Sequence, residues 1–135
     1  YRVFGRNGFL QYQLVIPYED RGPIKEILRR IVKSGEASPV NVFKTFGDIK
    51  SPGMLSFPRK GVTLALDFPF HGQPTLDLLN HLDEVVFANN GALYPAKDSR
   101  MSPEGFRLSF PCWEQFAKYI DPKFSSSFWR RVTES

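Results

Sequence analysis

Polar and apolar residues alternate from Phe9 to Ile16, the period of a β-strand, and Pro17 ends the run. Leu10, Tyr12, Leu14 and Ile16 fall on one side of this strand; Phe9, Gln11, Gln13 and Val15 fall on the other. The period then changes. Ile24, Ile27, Leu28 and Ile31 recur at helical spacing toward the core, away from a wet face of Arg21, Lys25 and Arg29. Glu19-Asp20 offer a cap, Pro23 suits the first turn, and Gly35 stops this helix. Alternation returns from Pro39 to Phe46, with Val40, Val42, Lys44 and Phe46 on one side and Asn41, Phe43 and Thr45 on the other. The Gly-, Pro- and Ser-containing stretch 47–58 is expected to be a mobile loop. A third strand over 61–68 sets Val62, Leu64, Leu66 and Phe68 against Thr63, Ala65 and Asp67. After Pro69 and a His71-Gly72 turn, a second helix is predicted over 74–88. Leu76, Leu79, Leu82 and Val86 point inward from it, and Asn89-Asn90-Gly91 stops it. Residues 92–94 read as a short fourth strand.

Strand, helix, strand, strand, helix, strand is the split βαβ order. It predicts the α+β class: a ferredoxin-like βαββαβ antiparallel sheet with helices on one face. The apolar sets of the first and third strands belong under the helices. The opposite face then gathers Gln11, Gln13, Val40, Val42, Lys44, Phe46, Thr63 and Ala65, with Tyr94 at its edge. Short helices around 102–104 and 111–120, a turn at Asp121-Pro122 and a tail over 124–132 make a C-terminal helical extension. A half-exposed sheet ordinarily carries solvated polar residues outward. Two features set this face apart. Val40, Val42 and Phe46 flank Lys44, and two glutamines offer hydrogen bonds without net charge. Such a face is expected to be covered, by a ligand or by another domain.

The 135 residues fit one domain, and 41% hydrophobic with 24% charged residues is a globular composition. Thirteen phenylalanines point to aromatic packing or an apolar ligand surface. A net charge of +4 permits an anionic ligand without demanding nucleic acid or a membrane surface. The single Cys112 excludes an internal disulfide and a cysteine-based zinc site, and two histidines are too few for most catalytic metal sites. No apolar run approaches the roughly 18 residues of a membrane span. The chain opens at Tyr1, without Met or a signal-peptide pattern, and is expected to be a piece of a longer polypeptide.

Single residues carry bland readings beside sharper ones. Lys97 is a surface lysine or a ligand contact; Asp98 and Arg100 form a local ion pair or serve the same site. His71 reads as an exposed turn residue, His81 as a helix-surface or partly packed residue, and Cys112 beside Trp113 as packed. Asp67 caps a strand exit. Ferredoxin-like sheets also bind RNA, but the stacking aromatics would have to stand where this strand has Thr63 and Ala65. No nucleic-acid partner is therefore expected. No Ser-His-Asp set has recognisable context, and no glycine-rich phosphate loop is present.

Gly91-Ala-Leu-Tyr-Pro-Ala-Lys-Asp-Ser-Arg100 packs a Tyr, a Lys, an Asp and an Arg into seven residues. Together with Phe9-Leu-Gln-Tyr-Gln13, Asn41-Val-Phe-Lys44, Leu55-Ser-Phe-Pro58 and Leu66-Asp-Phe-Pro69, it resembles the C-terminal, substrate-binding part of decaprenylphosphoryl-ribose 2-oxidase-like enzymes. These are FAD-dependent oxidoreductases of the vanillyl-alcohol oxidase superfamily. The likeness runs from Gly8 to Arg131. It implies that residues 1–135 are a single C-terminal substrate or cap domain, and that a FAD-binding domain precedes it and is absent from this chain. The chain alone is then expected to be catalytically silent.

By motif match the resemblance places Gln11 and Gln13 near the flavin, with Lys97. Val40, Val42, Phe46, Thr63 and Ala65 line the substrate pocket, and Lys97, Lys44 and Tyr94 take the catalytic positions. No metal is implied. Oxidising a secondary alcohol moves hydride to the flavin, whose reduced form carries negative charge that a lysine ammonium stabilises. Lys44 and Lys97 are the candidates for that role, for orienting the alcohol or for pairing with a substrate phosphate. Thr63 and Ala65 stand where well-known actinobacterial members carry Asn and Cys, so thiol chemistry is lost at that position. The implied substrate is a sugar or polyprenyl-phosphate sugar; an aldonolactone or alditol oxidase relative and a non-catalytic binding module are the alternatives. The implied partners are the chain's own FAD domain and a reductase or epimerase. A cytoplasmic or peripherally membrane-associated location follows from the same reading.

Overall fold

The structure is a computed structural model, and it describes residues 2, 4–17, 21–36, 38–97 and 100–134. Strands β1 (Phe9–Ile16), β2 (Val40–Phe46), β3 (Gly61–Pro69) and β4 (Ala92–Leu93) form one sheet in the order β2-β3-β1-β4. Every ladder is antiparallel. Helix α1 (Gly22–Ser34) joins β1 to β2, and α2 (Gln73–Ala88) joins β3 to β4. Each crossover therefore skips one strand, which is the predicted split βαβ arrangement.

The core lies between the sheet and these two helices. Leu14, Ile16 and Phe68 from the strands meet Ile27, Leu79 and Leu82 from the helices, each closed to solvent. Pro23 in the first turn starts α1, and Gly35 ends it in the left-handed region at φ 76°. Three details of the helical faces differ from the sequence pattern. Leu28 is 43% exposed, because β2 is the sheet edge and, among the described residues, no further element packs beyond it. On α2, Leu78 is buried and Leu76 only half-buried, because Thr75, Leu78, Leu79, Leu82, Val85 and Val86 form the contacting stripe. Glu19 and Asp20, read as a cap, lie outside the described residues, and Arg21 occupies the cap position without a side-chain bond.

Helices α3 (Pro103–Ser109), α4 (Trp113–Ala117) and α5 (Ser127–Thr133) follow the sheet. The expected tail at 124–132 is thus partly helical. Ser126 caps α5 by accepting from the Trp129 backbone N–H at 3.0 Å, and Val132 is buried. Ser102 caps α3 in the same way, accepting from Gly105. Phe106 is the hub of this extension, with ring centroids 5.3 Å from Phe110, 5.7 Å from Phe128 and 6.0 Å from Trp129. Cys112 is exposed at the start of α4 rather than packed beside Trp113. Among the described residues, no helix is long and apolar enough to cross a membrane.

Candidate functional site

The face away from the helices is ordered by the registers into rows that cross the sheet. One row reads Val42, Ala65, Gln13, Tyr94; Tyr94 joins it through its backbone N–H, which donates to the Gln13 carbonyl at 2.8 Å. The next row reads Lys44, Thr63, Val15, Ala92, and the one on the other side reads Val40, Asp67, Gln11. Ala65, the smallest side chain of the first row, sits mid-sheet between Val42 and Gln13.

Both glutamines are held across the β1–β3 ladder. Gln11 Nε2 donates to Asp67 Oδ1 at 3.1 Å, and Gln13 Nε2 donates to Thr63 Oγ1 at 3.2 Å. Each amide is thereby oriented, with its carbonyl and second N–H left for other partners. Asp67 serves as this acceptor, and its backbone N–H donates to Ser38 Oγ.

Lys97 was out of phase with Tyr94 for a strand. A 3₁₀ turn over Pro95–Lys97 supplies the bend, the Lys97 N–H donating to the Tyr94 carbonyl at 3.2 Å. The turn brings Lys97 to a crevice of about 20 Å³, room for about one water, that Gln11, Gln13, Tyr94 and Arg100 line together with the core residues Tyr12, Leu79 and Leu93. Lys44 stands apart. It lies on β2, three strand spacings from β4, or about 14 Å. Its ammonium is 5.5 Å from the Phe46 ring centroid, and its side chain is exposed.

The loop expected to be mobile closes one end of it. Phe57 is 4% exposed, and its ring bridges Phe46 at 6.0 Å and Tyr94 at 4.9 Å, spanning the sheet from one edge strand to the other. Arg59 fastens the loop by donating to the Ser109 carbonyl at 2.7 Å, and its burial draws the guanidinium below its ordinary value. At that end Val15 and Thr63 are shut off from solvent, so Thr63 meets the site through Gln13 and not directly. Val40 and Val42 are each 48% exposed, while Ala65 and Phe46 are half-buried.

A polar network behind the cleft escaped sequence reasoning. Asp83 of α2 accepts from the Tyr12 hydroxyl at 2.8 Å and takes Arg100 in two bonds of 2.8 and 2.9 Å. Arg100 also donates to Asn80 and lies 5.8 Å from the Tyr12 ring. Burial, with Asp83 alongside, pushes the Tyr12 hydroxyl well above its ordinary value. Arg100 thus pairs with Asp83; the expected pair with Asp98 lies outside the described residues. Asp83 sits four residues after Leu79 and three before Val86, on the buried stripe of α2, and a carboxylate there is the signal of a hidden partner. His71 is exposed as expected, yet its ring nitrogen meets Glu36 at 3.0 Å. His81 is on the surface of α2.

The fold and site define a class: a two-layer α+β domain with one sheet face left open, apolar on β2 and hydrogen-bonding on β1. The chain is 38% identical, over 97% of its length, to the decaprenylphosphoryl-beta-D-ribose oxidase of Mycolicibacterium smegmatis, and the match covers 29% of that protein. It is 32% identical, over 93% of its length, to an uncharacterized protein of Streptomyces coelicolor, of which 35% is covered. The chain thus spans about a third of the length of these relatives. No protein-family model matches it.

Proposed function

We propose that this chain is the substrate-binding part of a FAD-linked oxidoreductase that oxidises a secondary alcohol of a sugar or polyprenyl-phosphate sugar. The observation that carries this reading is the 38% identity to an oxidase across 97% of the chain. The site geometry supports it. A flat ring system suits a face with a small residue at its middle, and Ala65 between Val42 and Gln13 is such a residue. Oriented amides at Gln11 and Gln13 suit the polar edge of such a ring. When bound, the flavin would supply the hydride acceptor.

The chain's own residues have narrower tasks. Lys97 sets a positive charge in the cleft beside Gln11, Gln13 and Tyr94, where it would balance negative charge on the reduced cofactor or orient the alcohol. Lys44, at the far side of the face, is better placed for a substrate phosphate, flanked by the apolar Val42 and Phe46. Phe57 and Tyr94 close one end of the face against water. The flavin domain, in this reading, precedes the chain and covers the same face, and a reductase or epimerase acts on the product.

The mass and visible spectrum of the natural gene product, purified without truncation, test the reading. A yellow protein about three times this length is the expected outcome, following the share of the relatives covered. A colourless protein of the present size would leave a binding module that uses the open face. With flavin present, activity that requires lipid extract separates a polyprenyl-linked substrate from a small soluble alditol or aldonolactone.

A further inference from the structure

The helix side of the sheet carries a second surface that the oxidoreductase reading does not use. Helix α1 holds Lys25, Arg29, Arg30 and Lys33 against Glu26 alone, so three of the chain's four net positive charges lie on these thirteen residues. Glu26 and Arg30 form a pair at 2.9 Å, and Arg30 turns further toward α2, donating to the His81 carbonyl. Arg21, Lys25 and Lys33 have no acidic partner among the described residues, and all three are exposed.

Apolar side chains stand among these cations. Arg21, Lys25, Leu28 and Val32 repeat at steps of four, three and four, which aligns them in one stripe along the helix. Leu28 is 43% exposed and Val32 81%. Beside the stripe, Phe43 of edge strand β2 is 58% exposed, and a groove of about 490 Å³ runs between the two elements over Ile24 and Val62. Neither exposed apolar residue on α1 serves the core. A long basic side chain keeps its charge at a phosphate while its stem and the neighbouring Leu, Val and Phe enter an apolar phase.

We propose that α1 and Phe43 form a docking surface for an anionic phospholipid bilayer. Charge complementarity selects the occupant. Arg21, Lys25 and Lys33 are long and exposed, and Arg29 meets Glu26 only at 4.0 Å while Arg30 is tied to Glu26 and Glu84, so the outer cations suit a fluid field of lipid phosphates rather than one shaped ligand. Val32, outside the groove and on its rim side of the helix, meets a plane and not a pocket. The surface lies on the opposite side of the sheet from the site, so docking leaves the open face free. The inference is independent of the flavin reading: vesicle binding and flavin content are separate measurements, and either can fail alone.

The natural full-length protein is sedimented with phosphatidylcholine vesicles with and without phosphatidylglycerol. Binding is expected only with phosphatidylglycerol, and weaker in high salt. Lys25→Glu with Arg29→Glu is expected to weaken it at least about tenfold, since each cation near an anionic surface contributes roughly fivefold. Leu28→Ser with Phe43→Ser should also weaken it, with an unchanged thermal midpoint showing that the fold is intact. Lys118→Glu with Lys123→Glu, equally exposed and elsewhere, should leave it unchanged. Equal binding to both vesicles, binding to neither, or equal loss in the Lys118/Lys123 control would overturn the proposal.

Discussion

Tyr12 shows how one residue serves two sides of the sheet. Its backbone belongs to β1 between the two site glutamines, while its side chain points to the helices and ends on Asp83. Because burial raises its ionisation above that of an unfolded tyrosine, the folded chain keeps a proton that the unfolded chain loses near pH ~10. The linked stability is complete below that pH and declines as pH rises beyond it. Urea midpoints measured from neutral to strongly alkaline pH should therefore fall less steeply for Tyr12→Phe than for the parent, although the variant starts about 1 kcal/mol lower for its lost hydrogen bond. Asp83→Ala is the harsher change. It removes the two short bonds that Asp83 makes to Arg100, which is only 18% exposed, and is expected to cost about 3 kcal/mol in denaturant unfolding. Lys97→Ala belongs to chemistry instead: in the full-length parent it should lower turnover at least about tenfold, about 1.4 kcal/mol of barrier. An unchanged rate would remove Lys97 from the site.

At the scale of elements, the alternation of β1 and β3 was legible because each strand turns one apolar face to the helices, even though Val15 and Thr63 on the other face are also covered. Leu10 to Ile16 and Val62 to Phe68 carry their apolar residues strictly two apart. The loop between β2 and β3 was not legible. Its Gly, Pro and Ser residues describe solvent, and nothing local marks Phe57 as the residue that inserts. What orders the loop is distant: Phe46, Tyr94 and the Ser109 carbonyl that holds Arg59. Phe57→Ala is expected to destabilise the domain by about 3 kcal/mol. It should also speed amide exchange at Val15 and Thr63, as hydrogen-exchange mass spectrometry would detect. Gly91 has an equally nonlocal reason. A methyl group there would lie 2.7 Å from both the Val15 carbonyl oxygen and Val86 Cγ1, so the end of α2 packs on β1 only through a glycine. Gly91→Ala should lower stability by about 2 kcal/mol in the same unfolding assay.

For the whole molecule, the two sides of the sheet have different tasks. One buries strand residues under α1 and α2; the other presents rows of Val, Gln, Lys and Tyr, closed only at the Phe57 end. The C-terminal helices lean on the β4 side through the Phe106 cluster, so the edge next to Tyr94 and Lys97 is supported. The β2 edge has no such cover, and its strand is exposed along most of its length. This asymmetry puts Lys97 in a braced cleft and Lys44 on an open margin, which is why the two lysines receive different tasks above.

The sequence by itself determined the element order, the α+β class and the side of the sheet on which each strand residue lies, Thr63 among them although the Phe57 loop covers it. Those depend on periods of two and 3.6 residues and on turn chemistry, all of which are local. Only the tertiary structure decided that Lys97 joins Gln11, Gln13 and Tyr94, that Lys44 stands three strands away, and that Asp83 holds Arg100. It also decided that Leu28 would be left uncovered beside Phe43. The physical reason is the same in each case. Hydrophobic periodicity says which side of an element turns inward, but a partner far along the chain, or the lack of one at a sheet edge, exists only once the strands have taken their order.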